Sequence, residues 1–542
     1  YKELIPETQM TTYTLADDGS YVTYGEDQTK KTDYETGGQD AKLYARATAT
    51  GTQRVLLAST RGSQVVWAED GKHYAYARDG RVFLGSLADT TTRQIAGPPP
   101  AARGTSDSSA AAAGSGGRGG GRGGRGGVGT ASPDRFNVSR FSPKGDALLL
   151  SNRDGLWVYD IASNARDMAV ATRDSDITTP RMTFAAWSED GSKLYFAKAS
   201  RTKWERGIVR YDRATKSVRE LVRDGRYYTN LRLSKDGGTV FLTVAEGNRL
   251  GEIYSADADL GNMRRLVDAN PQLASKHFGP TELVPYIDVD GHSKYAVVRY
   301  PADYQKGKAY PTIFIVYEDF FDDTWDVAGN ILAAQGYVVV NPAVDFEIGF
   351  PGEAWLKGVT AAANKLIEMG VADSARLGVH GTSYGGYATN LLVTQTDRFK
   401  AAINISGKVD FISFYTDSPR LGVRNITAAE RQQDRIGATM WQQPQKYEAH
   451  SAILYADRIK TPMLLITGEQ DSNVPADNER EMYYALRRLG KEVTWVNYMN
   501  GGHGGGNATT ADFLDMYRRM IEFYDSKLKK PATMKTASDG AK

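Results

Sequence analysis

Residues 379–387 read Val379-His380-Gly381-Thr382-Ser383-Tyr384-Gly385-Gly386-Tyr387. Before them stands Ala375-Arg376-Leu377-Gly378-Val379, short and apolar enough for a buried strand. After them, Tyr387 to Thr396 reads as a helix. A strand that enters a helix through a one-residue corner flanked by glycines is a nucleophile elbow. The corner serine must hold a strained backbone conformation with Oγ exposed at the strand tip. Side chains on its neighbours would collide with the strand and the helix packed there. Ser383 is therefore the expected nucleophile.

A serine of this kind needs a base and an acid that orients the base, in chain order serine, acid, histidine. There are six histidines. His73, His277 and His292 precede the region or stand at its entry. His380 lies on the elbow strand and is expected to point to a different face. His450 sits in Glu448-Ala449-His450-Ser451, ahead of the next strand. His503 follows the strand Val493–Tyr498 and lies within Asn500-Gly501-Gly502-His503-Gly504-Gly505-Gly506. This glycine-rich loop past a strand end is expected to be mobile, letting His503 swing over the serine. The acid is sought after the apolar strand Thr461–Thr467, in Gly468-Glu469-Gln470-Asp471-Ser472-Asn473-Val474-Pro475. Asp471 is the candidate, with Glu469 and Asp477 as competitors. Its carboxylate would hold one ring nitrogen of His503 protonated and leave the other free toward Ser383.

Outward from these residues, short apolar strands alternate with helices from about residue 280. Strands are expected at Tyr295–Tyr300, Thr312–Tyr317, Gly336–Asn341 and Ala401–Ile405, with a helix at Val359–Met369. Such alternation predicts a mostly parallel sheet covered on both faces, with the three candidates just past strand carboxyl ends. The amino-terminal half is repetitive instead. Asp-Gly or Lys-Gly turns between alternating runs occur at Gly19, Gly71, Gly145, Gly191 and Gly237, the last three about 46 residues apart, as in four-stranded propeller blades. Five blades are legible. The long interval after Gly71 holds an insertion at about 98–132, including Gly117-Arg118-Gly119-Gly120-Gly121-Arg122-Gly123-Gly124-Arg125-Gly126-Gly127. With almost nothing apolar to bury, it is predicted to be a flexible loop. Three arginines without aromatic residues do not make a nucleic-acid site.

Composition bounds the rest. The chain has 542 residues, enough for two domains, and a net charge of +2, which gives no long-range pull toward nucleic acid or anionic membrane. No apolar run approaches the roughly 18 residues of a membrane helix. There is no cysteine, which excludes disulfides and thiolate metal sites and leaves the redox compartment unreadable. No histidine–carboxylate cluster has ligand spacing, so neither metal nor other cofactor is expected. The chain starts at Tyr1 without methionine. A removed leader would favour a periplasmic or secreted location. Oligomerisation is left open.

The serine, acid and histidine motifs resemble those of the prolyl oligopeptidase family of serine peptidases. The likeness lies in Gly381-Thr382-Ser383-Tyr384-Gly385-Gly386, in Gly468 to Pro475, in Gly502-His503, and in Arg458-Ile459-Lys460-Thr461-Pro462. It implies a β-propeller over 1–275, followed by an α/β hydrolase domain with a mostly parallel, doubly wound sheet over 276–530 and a flexible tail over 531–542. Members usually have seven or eight blades. Five therefore imply an incomplete propeller and a fragment, or a chain processed into pieces. The oxyanion donors would be the backbone N–H of Tyr384 and the hydroxyl of Tyr317. Past Tyr317, a family glycine-proline turn is replaced by Glu318-Asp319-Phe320-Phe321-Asp322-Asp323, which would meet a substrate's amino terminus or only solvate a rim. Tyr384, Phe411, Phe414 and Tyr415 would form an apolar slot for the residue before the scissile bond, or serve as core. The implied activity is hydrolysis of short or unfolded peptides. An ester hydrolase on the same triad and an inactive propeller scaffold are the alternatives.

Overall fold

The computed structural model describes residues 5, 10–29, 39–89, 91–99, 133–173, 175–417 and 424–529. Most of the expected insertion (100–132) and the tail (531–542) lie outside them. The chain divides into two compact units, in sequence at Ser275/Lys276.

The first unit is five four-stranded antiparallel sheets over 10–57, 64–96, 137–171, 181–224 and 227–265, with strands in sequence order within each. Every Asp-Gly or Lys-Gly repeat falls in the turn between the first and second strands of a sheet. The turn glycines have φ of +69° (Gly19), +64° (Gly71), +71° (Gly145), +70° (Gly191) and +70° (Gly237). Each donates its N–H to the carbonyl three residues back, on Ala16, Ala68, Ser142, Ser188 and Ser234 respectively. That conformation is open to glycine at no steric cost, which is why the repeat is visible in sequence.

Strand alternation then stacks the sheets. In Ala147–Ser151 of the third sheet, Leu148 and Leu150 join a core with Val82 and Leu84 of the second. Leu149, facing the other way, joins Leu194 and Phe196 of the fourth. In the fourth sheet Tyr195 turns instead to Val240 and Leu242 of the fifth. Leu43 and Tyr74 link the first two. The second, third and fourth sheets are thus apolar on both faces, as a propeller blade must be.

The second unit is built on eight strands: β1 (Thr281–Ile287), β2 (Ser293–Arg299), β3 (Tyr310–Ile315), β4 (Val338–Pro342), β5 (Ala372–Thr382), β6 (Ala401–Ile405), β7 (Met463–Gly468) and β8 (Val493–Tyr498). They form one sheet in the order β1-β2-β4-β3-β5-β6-β7-β8. β1, β2 and β4 pair antiparallel, and every pairing from β4 through β8 is parallel. Helices α1 (Val327–Ala334), α2 (Pro351–Glu368), α3 (Tyr384–Gln395) and α4 (Phe411–Thr416) fall between these strands. So do α5 (Arg424–Arg431), α6 (Pro444–Ala449) and α7 (Ala476–Arg488), while α8 (Thr510–Leu528) follows β8.

Two cores cover the two faces. Phe314, Val338, Val340, Met463 and Leu465 pack with Trp355 and Leu366 of α2, Leu391 of α3 and Met482 of α7. Their neighbours Ile313, Val339, Leu464 and Ile466 pack on the opposite face with Leu332 of α1 and Met520 and Tyr524 of α8. Continuous apolar runs are what a sheet buried on both faces requires. The helix expected from Val359 begins earlier, at Pro351. Proline at a first helical position loses no hydrogen bond, so the Pro-Gly pair that reads as a loop starts a helix instead.

Candidate active site

Ser383 stands between the end of β5 and the start of α3, with φ +61° and ψ −117°. This is a left-handed, strained position for a non-glycine residue. The serine caps α3 only with its backbone: its N–H donates to Ile405 O (2.8 Å) and its carbonyl accepts from Tyr387 N (3.0 Å), leaving the side chain out of the cap. The two flanking glycines are required by contact. A Cβ on Gly381 would lie 2.3 Å from the carbonyl carbon of Gly385, and one on Gly385 would lie 2.1 Å from Val316 O. The N–H of Tyr384, at the start of α3, is among the helix-start donors that no helical carbonyl can reach.

Asp471 follows β7 and His503 follows β8, so both stand at the same sheet edge as Ser383. His503 Nδ1 and Asp471 Oδ2 are 2.8 Å apart, with the aspartate side chain 1% exposed and the histidine side chain 26%. Asp471 Oδ1 accepts from the N–H groups of Asn473 (2.7 Å) and Val474 (3.0 Å). Burial pushes this carboxyl up, but the hydrogen bond from His503, its charge and the two backbone donors outweigh burial and hold it below the usual carboxylate range. The competitors are engaged elsewhere: Glu469 accepts from Asn497 (2.6 Å), and Asp477 pairs with Arg480 (2.9 Å).

The loop carrying His503 is tied down, contrary to the expectation of a mobile segment. Gln470 N donates to Gly501 O (2.8 Å), Gly504 N to Ser406 Oγ (3.1 Å) and Asn507 Nδ2 to His503 O (2.7 Å). Its glycines serve close approach. A Cβ on Gly468 would stand 2.3 and 2.4 Å from the carbonyl oxygens of Gly502 and Gly501.

Ser383 and His503 share a cavity of about 390 Å³ with Tyr317, Ile315, Phe320 and Asp326. Several contacts hold Tyr317. Its carbonyl accepts from Trp355 Nε1 (2.7 Å), its ring meets that of Tyr384 edge-on at 6.2 Å, and its hydroxyl accepts from Gln433 Nε2 (2.9 Å). His380 also reaches this cavity rather than lying wholly on another face. Tyr524 spends its hydroxyl hydrogen on Val379 O (3.1 Å), so His380 Nδ1, 3.0 Å from that hydroxyl, carries a proton. Burial pushes the His380 pKa down to about 4.

Three expectations need correction. The rings of Tyr384, Phe411, Phe414 and Tyr415 are at most 2% exposed and do not line the cavity; they are core. Sequence cannot separate a ring in a slot from a ring in a core, and here Lys408 lies over Phe414 (4.4 Å) while pairing with buried Asp434. Nor does the acidic run merely form a rim. Glu318 is 6% exposed and bonds Arg435 (3.0 Å), whose guanidinium also reaches the Tyr384 hydroxyl (3.3 Å). Finally, Asp288, His292 and Asp345 bring ligand atoms within 4.8 Å of one another, a grouping that spacing alone could not reveal because Asp345 follows another strand. Lys294 already occupies Asp345 (2.6 Å).

Among the described residues no helix is long and apolar enough to cross a membrane. Residues 350–531 match the model of the prolyl oligopeptidase family. The chain is 29% identical over 298 residues to the uncharacterized peptidase YuxL of Bacillus subtilis, covering 51% of this chain and 43% of that protein. It is 23% identical over 435 residues to dipeptidyl-peptidase 5 of Porphyromonas gingivalis, covering 72% and 59%. The chain thus spans about half the length of the curated relatives it matches. Among solved structures, a puromycin-hydrolyzing peptidase of Mycobacterium tuberculosis superposes with a TM-score of 0.69 at 17% identity, over 96% of this chain and 79% of that one. The acylaminoacyl peptidase of Pyrococcus horikoshii does so with 0.63 at 17% identity, over 98% and 84%. These likenesses carry the fold, a propeller followed by an α/β hydrolase. The match over 350–531, which takes in the elbow, the acid loop and the histidine loop, adds that this third of the chain is similar in sequence to the prolyl oligopeptidase family.

Proposed function

We propose that this chain is a serine peptidase acting on short or unfolded peptides, with Ser383, His503 and Asp471 as its triad. The observation that carries the reading is the strained Ser383 on one cavity with a histidine whose far nitrogen is bound to a buried, ionised aspartate. Asp471 accepts the Nδ1 hydrogen of His503 and leaves Nε2 as the base. His503 takes the proton of Ser383 as Oγ adds to the peptide carbonyl carbon, and the carbonyl oxygen becomes an oxyanion. The N–H of Tyr384 and the hydroxyl of Tyr317 stabilise that charge. His503 then protonates the leaving amine, the C–N bond breaks, and an ester to Ser383 remains. Water, deprotonated by His503, attacks the ester and releases the new carboxylate and the serine. The names of the relatives, peptidases and dipeptidyl-peptidases, favour a peptide substrate.

The test is reaction with a fluorophosphonate probe and mass spectrometry of the labelled peptide, with a screen of short peptides blocked or free at the amino terminus. Label on Ser383 with peptide cleavage is the expected result, and the blocked-to-free ratio separates endopeptidase from dipeptidyl peptidase. Ester turnover without peptide turnover would replace the reading with an acyl hydrolase. Folded protein that takes no label would point to a scaffold.

A further inference from the structure

The end of β6 and the residue after it hold on to both halves of the proposed catalytic pair. Ile405 O accepts the N–H of Ser383 (2.8 Å). Ser406 donates its own N–H to Ile466 O of β7 (2.9 Å), and its Oγ accepts the N–H of Gly504 (3.1 Å), the residue after His503. Ser406 is 1% exposed and holds φ +48°, a turn that an L-residue keeps only when its surroundings impose it. Glycine would take that turn freely, so what serine adds at this position is the hydroxyl. The other ties of the histidine loop run elsewhere. Asn507 brackets His503 from inside the loop, its Oδ1 accepting from Gly502 N (2.8 Å) and its Nδ2 donating to His503 O (2.7 Å). Gln470 N on Gly501 O joins the loop to the acid loop. The Ser406 bond joins it to the strand end on which Ser383 rests.

We infer that Ser406 is a positioning residue for His503. Asp471 fixes the imidazole at Nδ1, which sets how the ring turns, but the place of the ring over Ser383 is set by its backbone. The peptide unit between His503 and Gly504 is held at both of its polar atoms, the oxygen by Asn507 and the N–H by Ser406. Gly504 stands at φ +105°, in a region that side chains rarely enter, and carries no side chain to restrain it. The hydroxyl of Ser406 supplies that restraint from outside the loop. With Ser383 bonded one residue earlier on the same strand, nucleophile and base share one mount. Proton transfer needs the two within hydrogen-bond reach, and a displacement of about 1 Å costs up to about 10²-fold in rate.

This inference rests on the reading of His503 as the base, and the test separates the two. Ser406→Ala, Ser406→Gly, His503→Ala and the double variant Ser406→Ala/His503→Ala are made in the full chain. They are compared by kcat and KM on a peptide anilide that the parent cleaves, and by the second-order rate of fluorophosphonate labelling at Ser383. Ser406→Ala is expected to lower kcat and labelling about tenfold and leave KM within about twofold, because the lost bond bears on proton transfer and not on substrate binding. Ser406→Gly should show the same loss. It takes φ +48° freely, so it keeps the turn even where alanine unsettles it. In the His503→Ala background, Ser406→Ala should cost nothing further, since there is no base left to place. A general loosening of the site would instead raise KM or cost the same in every background. Parent-level kcat and labelling in both Ser406 variants, a change in KM alone, or an equal loss in the His503→Ala background would overturn the inference and leave the triad reading standing. Parent-level kcat and labelling in His503→Ala would remove that reading, and the role of Ser406 with it.

Discussion

At Ser383 a strained backbone and an exposed hydroxyl are one requirement seen twice. The φ of +61° lifts Oγ off the strand end, and the fold holds it there at a cost of about 1 kcal/mol or more. Ser383→Ala is expected to lose peptide hydrolysis by roughly 10⁴-fold or more while melting as the parent does. Ser383→Gly should be equally inactive but more stable by about 1 kcal/mol, because glycine adopts this φ freely. Chemical denaturation of the two side by side reads the difference. Asp471→Asn should lower kcat by about 10⁴-fold, since the amide no longer fixes the histidine tautomer. Its pH dependence has a definite sign. A carboxyl held below its unfolded value stabilises the fold above that value and stops doing so as pH falls through the folded one. The stability gap between parent and Asp471→Asn should therefore be constant above about pH 5 and close below about pH 4. The three candidates Ser383, Asp471 and His503 were legible because each follows a strand with its own local pattern. Gln433, Asp434, Arg435 and Lys408 were not, since their partners are remote in sequence and nothing local marks a polar residue as buried.

Among the elements, the elbow shows how much a short pattern can carry. Glycine at 381 and 385 is demanded by contacts of 2.3 and 2.1 Å with backbone atoms, and that demand is written in the sequence. Element ends were less legible: α2 starts eight residues before its apolar periodicity becomes clear, because Pro351 and Gly352 resemble a loop. In the histidine loop, expected to be mobile, glycine serves close approach at 501 and a positive φ at 504 and 505. On β5, His380 gives a second pH effect. Burial lowers its pKa from 6.5 to about 4, so between those values the unfolded chain binds more protons and stability rises with pH. Burial moves His450 in the same direction. The parent should lose up to about 3 kcal/mol through His380 between pH 7 and pH 4. Urea midpoints across that range should show a shallower slope in His380→Gln. An unchanged slope would mean that another group titrates.

For the molecule as a whole, the period of the sequence decided the architecture of each unit before any site was considered. Turn glycines gave the five sheets their count, and continuous apolar runs gave the second sheet its two covers. Strand order and the pairing of faces needed the structure, because alternation alone does not say which neighbour a face will meet. In the first unit each sheet meets its sequence neighbours, so stability should be shared locally. Leu149, fully buried between the third and fourth sheets, tests this. Leu149→Ala should cost about 2–5 kcal/mol. Hydrogen exchange should quicken first in 137–171 and 181–224, and uniform quickening across all five sheets would contradict local sharing.

The contacts of Gly468 with Gly501 and Gly502 have a consequence for biosynthesis. Acid and histidine are delivered together by the pairing of β7 with β8, whereas the serine belongs to β5. A ribosome makes the elbow first and must add everything through residue 503 before the base exists. Throughout that interval the nascent chain carries a serine with no partner to activate it. On the proposed mechanism, a chain ordered this way holds no activated serine until its last strand and the loop after it have been made.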